Sequence, residues 1–164
     1  MKHLLVTLCL VFPNLCVAAD WPHWMGPTRD NVWAETGILE SFPKSGPKIL
    51  WKAKIAGGYG SPAIANGRVF VGDYLSDVDP KKEVYERTNH KGTERLLCFD
   101  EKTGDLLWKH EYACNYTISF PNGPRVMPAV SEGRVYFLGA EGNFSCVDAE
   151  KGKVIWEKDF KKEH

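Results

Sequence analysis

Short apolar runs alternate with polar residues along positions 61–158, and Gly, Pro, Asn or Asp stands at nearly every break. "RVFVGD", "RLLCFD", "RVYFLG" and "FSCVD" are such runs. A period of two with turn residues between runs predicts many short strands, each with one face or both turned inward. The 15 Gly and 10 Pro reinforce the punctuation, and no segment sustains a helical period.

The runs also repeat. "SPAIANGRVFVG" aligns with "MPAVSEGRVYFLG", placing Pro62 and Pro128 66 positions apart. "CFDEKTGDLLWK" aligns with "CVDAEKGKVIWE", but Cys98 and Cys146 are only 48 positions apart. The first copy therefore carries an 18-residue insertion. In the second copy the strands fall at about 127–131, 134–138, 143–147 and 153–158. Four short antiparallel strands with Gly at the turns make one β-propeller blade. "KILWKAKI" matches only the last strand of a copy, with Trp51 standing where Trp108 and Trp156 stand.

The reading is an all-β chain, a β-propeller of four-stranded antiparallel blades with about two blades and one outer strand present. It divides into a leader at 1–19, an irregular segment at 20–47, an outer strand at 48–58, a blade at 59–112 with an insertion at 73–95, a linking loop at 113–126 and a blade at 127–160. A propeller takes four to eight blades. The expectation is an N-terminal piece of a longer protein, whose far end would complete the blade that Trp51 begins.

The leader "MKHLLVTLCLVFPNLCVAAD" has a basic start, an apolar stretch and small residues at Val17 and Ala19, the form of a secretory signal. Pro13 and Asn14 break the run before it reaches the length of a membrane span. Without the leader, 20 basic residues face 21 acidic ones, which supplies no electrostatic reason to expect nucleic acid or an anionic membrane as partner. Cys98, Cys114 and Cys146 then remain, an odd number without CxxC spacing, and the five His are scattered. Neither a disulfide framework nor a zinc site is indicated, so buried strand cysteines are expected.

In the repeated phrase, the Asp can accept backbone N–H groups of the following turn, the Gly supplies positive φ, and the Trp packs between blades. A residue recurring in every unit is read as a packing rule rather than a site. The pattern, with the segment from "DWPHWMGPTRDNVW" onward, resembles the tryptophan-docking repeats of secreted bacterial pyrroloquinoline quinone (PQQ)-like β-propeller proteins. Lys151 departs from it, standing where Thr is usual.

That resemblance implies either a non-catalytic binding and interaction module or, alternatively, a PQQ-dependent alcohol or sugar dehydrogenase. Such dehydrogenases carry adjacent cysteines over the quinone, a calcium ion and an Asp base; this chain has no Cys-Cys pair, and no Asp or Glu in it can be matched to that base. The reading leans to the non-catalytic module, secreted or periplasmic, with no cofactor assigned. PQQ with calcium stays open for the alternative.

Alternation of strands puts the loops leading into each blade, and the loops between second and third strands, on one face. The repeated "DEKTG" and "DAEKG" turns lie on the other. Tyr59, Arg125 and Glu141 fall on the lead-in face and are the candidate binding residues, for a protein or small-molecule ligand. Arg there could grip a carboxylate, phosphate or quinone oxygen, or simply pair with Glu141. The insertion, with Asp73, Asp77 and Asp79, lacks a calcium-loop signature and reads as a solvated surface loop.

Overall fold

The computed structural model describes residues 19–76, 89–118 and 123–163. The leader, save Ala19, therefore lies outside the described residues, as do Asp77 and Asp79. Among the described residues eight strands form: β1 (Ala63–Ala65), β2 (Arg68–Ser76), β3 (Gly92–Asp100), β4 (Leu106–Ala113), β5 (Ala129–Ser131), β6 (Arg134–Leu138), β7 (Asn143–Asp148) and β8 (Val154–Asp159). A single helical turn, α1 (Phe160–Glu163), follows. β1 to β4 make one antiparallel sheet in sequence order, and β5 to β8 make another. No helix among the described residues is long and apolar enough to cross a membrane.

The chain adopts this meander because its turns are chemically specified. Asn66–Gly67 and Glu132–Gly133 both hold positive φ at the two central positions, the twist that a tight hairpin requires. In both sheets the register slips at the same point, between Cys98 and Phe99 and between Cys146 and Val147. The repeat therefore extends to a shared bulge just before the third-to-fourth-strand turn.

Alternation along β2 and β3 sorts side chains between two interfaces. Phe70, Leu96 and Cys98 face the second sheet and join Val130, Val135, Phe137 and Val147 in one core, with Trp108 packed against it. Val69, Val71, Leu97 and Phe99 face the opposite way and are covered by Trp51, Ala53 and Ile64. Near the inner edge, Trp21 pairs with Ile64, and Pro22 O accepts the N–H of Val130 at 2.7 Å. Trp21 and Pro22 thus strap the innermost strands of both sheets.

Trp51 and Trp108 occupy equivalent positions. Trp51 Nε1 donates to Glu101 O at 2.8 Å, and Trp108 Nε1 to Ala149 O at 3.2 Å. Each acceptor is the residue after the turn Asp. Residues 48–56 nevertheless form no strand ladder, because no neighbouring strand among the described residues offers its backbone. The one backbone bridge nearby joins Gly57 to Tyr74.

The insertion corrects the expectation of a solvated loop at both of its ends. The ladder between β2 and β3 runs on to Ser76 and Gly92, making two nine-residue strands where the second blade has five and six. Asp73 is fully buried and accepts Arg95 Nε at 2.7 Å, Arg95 Nη2 at 2.5 Å and Ala56 N at 2.7 Å. Burial of that carboxylate is tolerable only because it is so fully bonded.

Candidate functional site

The two lead-in loops interlock. Tyr59 N and Gly60 N both donate to Pro124 O, at 2.8 and 3.1 Å, which ties the loop of the first blade to that of the second. Gly123 makes the approach achievable: its φ is +129°, and a Cβ there would lie 2.8 Å from the carbonyl carbon of Gly57. On this bonded scaffold the Arg125 guanidinium carbon stands 5.5 Å from the centroid of the Tyr59 ring, a cation–π contact. Both side chains are exposed. The structure thus brings together two of the three candidates, on loops tied to each other by backbone bonds.

Glu141 is not the partner expected for Arg125. Its Oε1 accepts Thr117 N at 2.6 Å and Thr117 Oγ1 at 3.3 Å, while its Oε2 takes Lys161 Nζ. It is a buried carboxylate that ties the loop after β4 to α1 and the β6–β7 turn.

A second buried carboxylate escaped the sequence reading. Glu94, fully buried on β3, accepts the hydroxyls of Tyr112 at 2.6 Å and of Tyr116, and the N–H of Ala140 at 2.8 Å. Burial and the adjacent Glu94 push both tyrosines well above their ordinary range. Burial, assisted by Glu94, also raises the Cys114 thiol to about 12, so it is an unreactive thiol rather than a nucleophile. Tyr116 stacks on Tyr74 with centroids 3.8 Å apart. This network locks the long hairpin of the first blade to the second. Its detectable signal was the continued alternation of "GTERLLCFD", which puts Glu94 on the same face as Leu96 and Cys98.

His110, on the same face of β4 as Trp108 and Tyr112, holds Nε2 3.2 Å from Glu157 Oε1 without the geometry of a hydrogen bond. Burial lowers its pKa below the usual 6.5, with Glu157 opposing. A base whose folded pKa lies under its unfolded value leaves the unfolded chain binding more protons between the two. Stability in that window therefore rises with pH and falls as pH drops through 6.5. His110→Gln should narrow the difference in melting temperature between pH 7.5 and 5.5 relative to the parent. An unchanged difference would show that His110 does not contribute.

Residues 92–164 match a family model described as outer membrane protein assembly factor BamB. Among solved structures, one described as a europium-containing methanol dehydrogenase aligns with a TM-score of 0.41 at 14% identity. That alignment covers 66% of this chain and 17% of the other. No curated protein sequence matches. Two meandering sheets with a shared bulge, joined by a tryptophan that docks on the next turn, are consecutive propeller blades, and residues 92–164 match the model of the PQQ-like repeat family.

Proposed function

We propose that the protein is an exported PQQ-like β-propeller that acts as a non-catalytic binding module through its lead-in face. The observation that carries the reading is the Arg125–Tyr59 pair held on interlocked backbone loops. An exposed guanidinium beside an aromatic face suits a carboxylate or phosphate group on a protein or small-molecule partner. Export rests on the leader sequence. The ring-closing role of the segment at 48–58 rests on Trp51, which docks in the manner of Trp108.

The described residues do not fit the quinone and calcium that the dehydrogenase alternative would require. Glu141 is saturated by Thr117 and Lys161. The three free cysteines, all buried, sit far apart in sequence on β3, after β4 and on β7. Nor do these residues gather three His, Cys, Asp or Glu side chains able to hold a metal.

The test is dye reduction with an alcohol or a sugar, in the presence of added PQQ and Ca²⁺. No turnover is expected. Turnover that depended on both additions would establish the dehydrogenase alternative. In that case Arg125→Ala should weaken PQQ binding, and unchanged affinity would remove Arg125 from the quinone site.

A further inference from the structure

A different part of the molecule carries a site of its own. Between the end of β4 and the paired strands β7 and β8 lies a cleft of about 270 Å³ whose lining includes Tyr112, Asn143, Ser145, Glu157, Asp159 and Lys162. β4 and β8 are the outermost strands of their sheets, so the cleft lies at the periphery, away from the inner strands that follow the lead-in loops. Ser145 is only 3% exposed, and its Oγ has no hydrogen-bond partner among the described residues. Buried hydroxyls are normally satisfied, so this one points to something the cleft receives. The Nε2 of His110 is likewise buried without a hydrogen bond. Both orphans adjoin Glu157: Ser145 pairs with it directly across β7 and β8, and His110 approaches it to 3.2 Å.

The lining selects a chemical class. Glu157 and Asp159 only accept hydrogen bonds, and Lys162, 3.0 Å from Asp159, only donates. Asn143 Oδ1 accepts the Cys114 thiol at 3.9 Å, which leaves its amide N–H groups as donors. Ser145 can do both. A phosphate only accepts and would meet carboxylates; an ammonium only donates and would leave Asn143 and Lys162 unserved. Adjacent hydroxyls, each donating and accepting, satisfy the whole set, and the Tyr112 ring adds an apolar wall for a C–H face. We propose that this inter-blade cleft is a carbohydrate subsite that takes one or two sugar rings, independent of the lead-in face.

The test is a ¹H–¹⁵N titration of the protein with D-glucose, D-galactose and D-mannose in turn, with glucose 6-phosphate as the charged comparison. At least one neutral sugar should move the amides of Tyr112, Asn143, Ser145 and Glu157 saturably, with a Kd of about 1 mM. The phosphorylated sugar should bind more weakly. Ser145→Ala should weaken binding by about fivefold, the worth of one hydrogen bond. Asp159→Asn, at the cleft rim, should weaken it similarly and guards against a folding defect in the buried variant. Lys109→Ala, which alters the exposed pair with Glu111, should leave binding unchanged. Three results would overturn the proposal: no saturable shift with any neutral sugar up to about 50 mM, shifts confined to Tyr59 and Arg125, or full affinity in both cleft variants.

Discussion

Glu94→Ala should destabilise the protein by about 4 kcal/mol, read as a fall in the urea midpoint at unchanged slope. The carboxylate receives three donors, from Tyr112, Tyr116 and Ala140, and it is fully buried. Truncation leaves two hydroxyls and one N–H unsatisfied in the blade interface, each costing about 1–3 kcal/mol, with some relief from entering water. Glu94→Gln keeps the shape and one acceptor oxygen, so it should recover more than half of the loss. Gly139 gives an independent check, because a Cβ there would overlap Glu94 Oε2 and the Tyr112 hydroxyl. Gly139→Ala should therefore weaken the same interface, and the double variant should cost less than the two single losses combined. A Glu94→Ala protein within about 1 kcal/mol of the parent would mean that the network is dispensable.

The same carboxylate marks where the sequence stopped being legible. Strand positions in the second blade could be placed almost to the residue, because Glu132–Gly133 and the "DAEKG" turn punctuate an uninterrupted alternation. In the first blade the extra residues looked like loop, since Asp73, Glu94 and Arg95 are charged and the repeat has no counterpart for them. Position decides otherwise. Asp73 and Arg95 face each other directly across β2 and β3, and two opposite charges in register lengthen a hairpin instead of ending it. Charge alone signals solvent; charge with a cross-strand partner does not.

The candidate site shows the same limit. The proximity of Tyr59 and Arg125 follows from repeat alignment, because both occupy the lead-in position of adjacent blades. The partner of Glu141 does not, since Lys161 comes from a helical turn that no repeat position specifies. Ser145 and His110 gave no motif at all. They matter only because the packing of β4 against β7 and β8 leaves their polar atoms without bonds.

Trp108→Ala should cost about 3 kcal/mol, which for a chain of this size lowers the melting temperature by roughly 10 °C. The ring packs against the inter-blade core, lies 5.8 Å from Phe70 and caps the turn of the next blade through Ala149 O. Trp108→Phe keeps most of the packing and should lose about 1 kcal/mol for the N–H bond. Gly152 tests whether tryptophan and turn act as one unit. Its φ is +70°, and a Cβ would meet Trp108 Cδ2 at 2.6 Å, so Gly152→Ala adds a steric clash to backbone strain. In the Trp108→Ala background the clash disappears and only the strain of about 1 kcal/mol remains. The double-mutant cycle should therefore show a coupling of about 1 kcal/mol or more. Additive losses would mean that the ring and the turn are neighbours without being coupled. The same clash recurs between Gly104 and Trp51, where a Cβ would lie 2.5 Å from the ring, so Gly104→Ala should reproduce the coupling with Trp51→Ala. Agreement between the two cycles would establish the repeated phrase as the joint that fastens each segment to the next blade, which is why it repeats.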